Sequence, residues 1–352
     1  MAFDETIPMR PGEEIPVERL ATYLRGRLPG SENPLRVRQF GGGAANLTYL
    51  LDYGTHQYVL RRPPQGPLPP SAHDMHREYR VLSVLWQAFP LAPRAFLFCE
   101  DESVIGAPFF VMERRVGVVV RREMPPQFAA IPNAARLMSA ALVDALADFH
   151  AVDFAALGLS DLGKPQGFIH RQIEGWYRRW QAAQTHDLPL MDELHAWLLA
   201  HEPPEQPPTL VHNDYKLDNA MFAEDDPARL VAIFDWDMCT LGDPLSDVGA
   251  LLAYWTEPDD PPHMRAMAAW IMPTGYDFMR REELVERYAQ RSGRDVRHIG
   301  FYHTLGLYRI VVILAQIYKR YVAGQTQDER FAAFGTLIPL VAQAAADVAA
   351  RV

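Results

Sequence analysis

The chain has 352 residues and a mass of 39.9 kDa, enough for one large domain or two fused domains. It carries 34 basic and 44 acidic side chains and a net charge of −10. A generally nucleic-acid-binding surface is therefore not expected, because it needs a basic face. The two cysteines, Cys99 and Cys239, form no CxxC pattern, which disfavours a disulfide framework or a cysteine-built zinc site.

The N-terminal residues are acidic and lack the apolar core of a signal peptide. No uninterrupted apolar run approaches the roughly 18 residues that a membrane span needs. We therefore expect a cytoplasmic protein with no membrane partner and no nucleic-acid partner. The sequence leaves the oligomeric state open, and a homodimer is compatible with it.

Short strands separated by turns dominate the first third of the chain. A helix is predicted over 17–28, with Pro16 at its first turn and Gly30 just past its end. After a proline-rich loop, Ser71 is the expected cap of a second helix that runs to about Trp86. The predicted strands are 36–40, 47–52, 57–61, 95–99 and 108–112.

Helices dominate from Pro132 onward, because apolar residues recur there at helical spacing. Three short apolar segments interrupt them, at 209–212, 220–222 and 230–234, and each is too short for a helix. The predicted helices are 132–152, 171–181, 191–201 and most of 244–352. The sequence therefore predicts an α+β fold with two lobes, a sheet-rich lobe over 1–113 and a mainly helical lobe over 114–352.

The densest polar cluster is His212–Asn219, HNDYKLDN, which follows one apolar strand and precedes another. The next strand ends in IFDWD, which contains Asp235. Phosphoryl transfer needs one carboxylate that accepts the proton of the attacking hydroxyl, and a carboxylate and an amide oxygen that hold Mg²⁺. Asp214, Asn219 and Asp235 supply this set. The Asp–Asn separation of five matches the kinase catalytic loop H-R-D-x-x-x-x-N.

These motifs, with LGDPLSDVGALLAYW after them, resemble the aminoglycoside phosphotransferase and choline kinase-like superfamily of small-molecule kinases. The segments GGGAANLTYLL, YVLRRPP, REYRVLSVL and FFVMERRVG look most like the branch associated with acyl-CoA dehydrogenases. The resemblance covers about residues 17–325 and implies a protein-kinase-like bilobal fold. It also implies ATP, or another nucleoside triphosphate, and Mg²⁺ as cofactors, and a small-molecule hydroxyl as acceptor.

The resemblance also assigns residues to the nucleotide. The turn Gly41, Gly42 and Gly43, followed by Asn46, falls where a kinase covers the phosphates, and glycines let the backbone approach them. Many relatives carry Ser before that Asn, whereas this chain has Ala45. A plain hairpin turn is the alternative interpretation of the glycine run.

Kinases place a Lys where Arg61 falls, to neutralise phosphates and pair with a Glu on the next helix, here Glu78. Arg keeps the positive charge but is not an equivalent point charge. Val59 shares the strand face of Arg61. Met112 is expected at the adenine pocket, and Glu113 begins the backbone segment that would pair with the base.

Other polar residues receive weaker assignments. Lys216, two residues after Asp214, is expected near the transferring phosphate, and a solvated cation is the alternative. His212 is expected to pack inside the loop, and Asp243 and Asp247 are expected to cap a helix and brace the loop. Arg309, on a long helix, is a candidate for an anionic substrate group, with a salt bridge as the alternative.

The sequence thus favours an ATP- and Mg²⁺-dependent kinase acting on a small-molecule hydroxyl, with a hydroxyacyl compound preferred. An aminoglycoside-modifying kinase is less favoured. A nucleotide-binding pseudokinase-like regulator is the alternative from another class, although Asp214, Asn219 and Asp235 are all present. A metal-dependent hydrolase would need further ligands at metal spacing, and none is obvious.

Overall fold

In this computed structural model, the residues described are 6–41, 46–64, 74–262, 264–265, 272–326 and 328–352. The chain divides into two units. The first comprises Met1–Val116 and Ala232–Met238, and the second comprises Gly117–Val231 and Cys239–Val352. The first unit thus takes a short acidic segment from late in the chain, which a division by sequence position at residue 113 does not include.

The first unit contains an antiparallel sheet in the order β1-β2-β3-β4-β6-β5. Tyr49 and Leu51, on one face of β3, are buried against α1 and neighbouring loops, whereas β4 and β6 in the middle of the sheet are buried on both faces. The strands are Thr6–Ile7 (β1), Arg36–Phe40 (β2), Leu47–Asp52 (β3), Gln57–Arg62 (β4), Ala95–Cys99 (β5) and Phe109–Glu113 (β6), and the helices are Val17–Leu24 (α1) and Met75–Leu85 (α2).

Helix α2 starts later than its predicted cap implies. Asp74 occupies the N-cap, and its side chain accepts a hydrogen bond from the N–H of Arg77 at 3.0 Å. Ser71, the cap expected from the sequence, lies outside the described residues. Both residue types suit this position, and the carboxylate at residue 74 also complements the positive end of the helix dipole.

The second unit is mainly helical. Its helices are Pro126–Ala129 (α3), Ala134–His150 (α4), Phe168–Ala183 (α5), Leu190–Ala200 (α6), Leu245–Tyr254 (α7), Arg281–Ser292 (α8), Ile299–Val322 (α9) and Phe334–Ala349 (α10). Its strands are Val118–Val119 (β7), Thr209–Val211 (β8), Ala220–Ala223 (β9), Asp226–Ile233 (β10, ending inside the first unit) and Thr240–Gly242 (β11). The sheets have the orders β10-β9-β7 and β11-β8. The α+β prediction is therefore confirmed.

Two glycines allow α7 and α9 to pack at very short range. A Cβ on Gly249 would lie 2.2 Å from the carbonyl oxygen of Tyr302, and one on Gly306 would lie 2.5 Å from the carbonyl oxygen of Gly249. Only residues without a side chain permit this approach. The contact fixes α7, which carries Asp247, against the long helix α9.

In the described part of the chain, two helical segments are long and apolar enough to cross a membrane by length and composition, Ile299–Val322 and Glu329–Ala349. In α9, 72% of the most apolar window is buried inside the protein, as in the core helix of a globular domain. The corresponding share for Glu329–Ala349 is 39%.

Candidate active site

A buried arginine lies at the centre of the candidate site in the first unit. Nη1 of Arg61, on β4, lies 2.9 Å from Oε1 of Glu78, on α2, so the ion pair expected from the sequence is confirmed. Nη2 of Arg61 donates to Oδ1 of Asp235 at 2.6 Å, a contact that sequence reasoning did not anticipate. Arg61 is 9% exposed and Glu78 is 1% exposed.

Carboxyl groups outnumber cations in this cluster, which we define as Arg61, Glu78, Asp235 and Asp237. Burial raises the pKa of Glu78 to about 8, opposed by Arg61 and reinforced by the charges of Asp235 and Asp237. Burial would lower the pKa of Arg61, but the charges of Glu78 and Asp235 outweigh burial and raise it. Three carboxyl groups share one guanidinium, and this surplus of negative charge suits a further cation.

Two candidate-site residues have left-handed backbone conformations, Asp235 with φ +69° and Asn213 with φ +65°. In the described part of the chain, Asn133, at the start of α4, is the remaining non-glycine residue with positive φ. Such conformations cost energy for residues with a Cβ and concentrate at functional sites. Asn213 directly precedes Asp214, and Asp235 is itself one of the carboxylates assigned from the sequence.

Apart from Glu78 on α2, the residues assigned to the nucleotide lie on β4 and β6 or just before β3. Val59 and Met112 are cross-strand neighbours on β4 and β6, and both are buried. Gly41 and the buried Asn46 flank a gap in the described residues, and Gly42, Gly43 and Ala45 fall within that gap.

Glu113 has its N–H and its carboxylate engaged at the edge of the sheet. Its N–H donates to the carbonyl oxygen of Arg94 at 2.8 Å, and its Oε2 accepts from the N–H of Arg94 at 3.2 Å. The same oxygen lies 2.9 Å from Nη2 of Arg115. The N–H of Glu113 is therefore not free to pair with adenine.

In the second unit, the loop His212–Asn219 surrounds the Asp214 carboxylate with donors. Nζ of Lys216 lies 2.9 Å from Oδ2 of Asp214, and Nδ2 of Asn219 donates to the same oxygen at 3.0 Å and to the Asp214 carbonyl oxygen at 2.8 Å. Burial would lower the pKa of Lys216, but the charge of Asp214 raises it, so Lys216 remains a cation.

A buried carboxylate fixes the backbone of this loop. Oδ2 of Asp247 accepts from the N–H of His212 at 2.6 Å, and its Oδ1 accepts from the N–H of Asn213 at 2.7 Å. Burial would raise the pKa of Asp247, but the hydrogen bond from His150 and the backbone donors lower it. The expectation that Asp247 braces the loop is confirmed.

The structural expectations for His212 and Asp243 also hold. His212 is fully buried, and its Nδ1 accepts from the N–H of Asp214 at 3.3 Å. Asp243 accepts from the N–H of Leu245, at the start of α7, at 2.9 Å. His212 is therefore a packing residue, and Asp243 caps the helix that carries Asp247.

Sequence reasoning missed two residues. Nδ1 of His150, on α4, lies 2.8 Å from the hydroxyl of Tyr288, and its Nε2 lies 3.2 Å from Oδ2 of Asp247. Burial lowers the pKa of His150, so the neutral ring donates from Nε2 to Asp247. Tyr254, at the end of α7, has its ring 5.3 Å from Nζ of Lys216. His150 lies in no recognisable motif. Tyr254 lies within the segment LGDPLSDVGALLAYW, but nothing in the sequence distinguished it from its neighbours there.

Comparison with known proteins agrees with this geometry. Residues 36–282 match the model of the phosphotransferase enzyme family. Acyl-CoA dehydrogenase family member 10 from Mus musculus is 34% identical over the whole of this chain, which spans only 33% of that protein's length.

Comparison with solved structures also finds phosphotransferases. A candidate aminoglycoside phosphotransferase from Ralstonia eutropha is 31% identical with a TM-score of 0.82, covering 96% of this chain and 99% of its own. Aminoglycoside phosphotransferase APH(4)-Ia, in complex with AMP-PNP and hygromycin B, shares the fold at 16% identity with a TM-score of 0.58, covering 90% and 94%. The kinase-like fold expected from the motifs is thus confirmed, and the chain belongs to the phosphotransferase enzyme family.

Proposed function

We propose that this phosphotransferase transfers the γ-phosphoryl group of ATP, or of another nucleoside triphosphate, to a hydroxyl of a small molecule in the presence of Mg²⁺. One observation carries the proposal. The Asp214 carboxylate is held by Lys216 and Asn219 on a loop fixed by Asp247, and 21% of its side chain is still exposed to an incoming hydroxyl.

Asp214 would accept the proton of the acceptor hydroxyl, or orient that hydroxyl for attack. Lys216, a cation beside it, would approach the transferred phosphoryl group and offset its negative charge. These roles follow the order of residues in the kinase catalytic loop. They need the loop to be rigid, which the Asp247 contacts supply.

The chemistry of the available donors fits a bound Mg²⁺. Asn219 is oriented by its donated hydrogen bonds to Asp214, and its Oδ1 accepts none from the described residues, so Asn219 and Asp235 would be the protein ligands. No group of three or more His, Cys, Asp or Glu in the described part of the chain could hold a metal unaided. Mg²⁺ typically combines one or two carboxylates with substrate phosphates, and it would supply charge neutralisation.

Arg61, steadied by Glu78, would neutralise the nucleotide phosphates, and the segment Gly41–Asn46 would cover them. Val59 and Met112 would contact the base from adjacent strands. Arg61 presents a planar fork where a kinase Lys presents a point charge, so one guanidinium can hold Glu78 and Asp235 together.

For the acceptor, we favour a hydroxyacyl compound over an antibiotic. The support is the name of the mouse relative, acyl-CoA dehydrogenase family member 10, although this chain corresponds to a third of it. Hygromycin B is bound by APH(4)-Ia, whose 16% identity supports the shared fold alone.

Thermal stability tests the nucleotide site. We expect ATP to raise the melting temperature of the full chain at millimolar concentration, and to raise it further with Mg²⁺, because a ligand that binds the folded state stabilises it. GTP and ADP are measured in parallel, and Mg²⁺ without nucleotide is the control. The absence of a shift with every nucleotide would contradict the proposal.

Asp214→Asn separates a kinase from a nucleotide-binding regulator. We expect the variant to keep the MgATP-induced stabilisation and to lose turnover by about 10³-fold or more, because Asn cannot accept the proton. Asp347→Asn, on the exposed face of α10, is the matched control. Wild-type nucleotide binding without turnover across hydroxyacyl and aminoglycoside acceptors would favour the regulator.

A further inference from the structure

Among the residues that the structure describes, Arg309 is a buried cation without a carboxylate partner. It lies on α9, is 8% exposed, and forms no ion pair within the described chain, so the salt bridge considered from the sequence is not found there. Its Nη2 donates to the carbonyl oxygen of Asn213 at 2.7 Å, and its buried Nε has no hydrogen-bond partner among those residues. Burying a guanidinium without an opposite charge is costly, so such a group calls for an anion.

A second arginine shares the same aromatic ring. The Cζ of Arg309 lies 5.1 Å from the centroid of Trp176 on α5, and the Cζ of Arg179 lies 4.6 Å from that centroid. Arg179 is exposed and makes no ion pair within the described residues. Burial and the positive charges of Arg309 and Arg178 lower the pKa of Arg179. Two like charges stacked on one ring repel each other until an anion joins them.

This arginine pair adjoins the residue proposed to receive the acceptor. The carbonyl that Arg309 holds belongs to Asn213, directly before Asp214 in the chain. Nζ of Lys216 lies 2.9 Å from Oδ2 of Asp214 and 5.3 Å from the Tyr254 ring. Burial raises the pKa of Tyr254, and the charges of Asp214 and Arg309 shift it in opposite directions. A small molecule with its hydroxyl at Asp214 could therefore place a second group at Arg309.

We propose that Arg179 and Arg309, stacked on Trp176, form an oxyanion subsite that binds a carboxylate or phosphate group of the acceptor. The proposal rests on the proposed phosphotransfer at Asp214 and narrows its substrate class to hydroxylated anions. Guanidinium groups suit this role because their planar donors match carboxylate and phosphate oxygens. A polycationic acceptor would be repelled by the same pair.

Anion binding is tested on the full chain without nucleotide or Mg²⁺. The probes are sodium butyrate and sodium phosphate at up to about 50 mM, against sodium chloride of equal ionic strength, with melting temperature as the readout. We expect at least one probe to stabilise the wild type beyond chloride. Butyrate alone would indicate a carboxylate acceptor, and phosphate alone a phosphorylated one.

Arg179→Gln is the decisive variant, because Arg179 is exposed and makes no ion pair with the described residues. We expect it to weaken the probe's apparent affinity about tenfold, as for one lost charge-assisted contact. Arg178→Gln removes a neighbouring exposed charge and should keep the shift. Equal shifts in wild type and Arg179→Gln, or no shift beyond chloride in the wild type, would overturn the subsite.

Turnover gives a second readout once an acceptor is found. Short hydroxycarboxylates are compared with their uncharged amides. We expect the wild type to prefer the acids, and Arg179→Gln to raise KM for the acids more than it lowers kcat, abolishing the preference. Arg309→Lys keeps the positive charge and should retain part of the preference for acids. Equal use of acids and amides by the wild type would contradict the subsite, whereas loss of the MgATP shift would contradict the proposed function alone.

Discussion

Glu78 in the first unit and Asp247 in the second are both carboxyl residues buried to at least 99%, yet their pKa values move in opposite directions. Asp247 accepts two backbone N–H groups and a histidine N–H, so its charged form is favoured. Among the described residues, neither oxygen of Glu78 accepts a side-chain hydrogen bond, and the carboxylates of Asp235 and Asp237 compete for its single cation, Arg61.

The difference separates two kinds of buried charge. The Asp247 network is satisfied within the protein, and it therefore fixes the loop that carries Asp214. The cluster around Arg61 has a surplus of negative charge, which a bound cation would relieve. The network around Asp247 keeps its loop rigid, whereas we propose that the cluster around Arg61 binds a ligand. Substitutions around Asp247 should therefore change mainly the free energy of unfolding, and those around Arg61 mainly the affinity for nucleotide.

The largest effect is expected for Asp247→Asn. Asn carries no charge and has a single acceptor oxygen in place of the two of Asp247. One of the two buried backbone N–H groups therefore loses its partner. We expect a loss of about 2–4 kcal/mol in the free energy of unfolding, together with a fall in kcat, measured by urea denaturation and turnover. Asp347→Asn should change neither. A fully stable Asp247→Asn would show that the loop does not need this brace.

Gly249→Ala tests whether the brace depends on the close packing of α7 and α9. The new Cβ would lie 2.2 Å from a backbone oxygen of α9, so one helix must shift. We expect a destabilisation of about 1–3 kcal/mol by urea denaturation. Gly175→Ala on α5 is the matched control, because its Cβ would meet only a flexible arginine at 3.4 Å and alanine favours a helix. A Gly249→Ala variant as stable as the wild type would contradict tight packing at Gly249.

Arg61→Lys tests whether the cluster around Arg61 contributes to nucleotide binding. A single ammonium cannot hold Glu78 and Asp235 with separate donors as the guanidinium does. We expect the apparent affinity for MgATP to fall about tenfold, or about 1.4 kcal/mol, measured by titration calorimetry. Arg36→Lys, exposed on β2, should match the wild type. Tighter nucleotide binding by Arg61→Lys would show that this arginine is an impaired substitute for the usual lysine.

The last prediction concerns pH. Because the pKa of Glu78 is raised to about 8, its contribution to stability is fully present below its unfolded value near 4.5 and is lost as pH rises towards 8. Glu78→Gln mimics the neutral form at every pH, so its stability relative to the wild type should be lowest near pH 4.5 and should rise steadily up to about pH 8.5. Melting temperatures across this range measure the difference. A constant difference across the range would show that Glu78 stays ionised.

Most elements could be predicted from the sequence, since strand alternation and turn residues locate β2 to β6 within one or two residues. The loop at 212–219 was recognisable because Asp214 and Asn219 keep a fixed spacing. The contact between Arg61 and Asp235 was not, since 174 residues separate them. His150 carries no local signal either, because its contacts arise only when distant helices pack around the loop. The sequence offered Arg309 as an anion-binding candidate, but not its stacking with Arg179 on Trp176.

The segment Ala232–Met238 belongs to the first unit although it is made after 117–231. Its Ile233 N–H donates to the Leu91 carbonyl oxygen at 2.9 Å, and Trp236 packs edge-on against Phe89. At about 5–20 residues per second, a nascent chain must therefore wait several seconds before this unit is complete. Recombination between relatives meets the same constraint. A chimera joined at residue 116 would pair Arg61 with a foreign acidic segment unless 232–238 were exchanged as well.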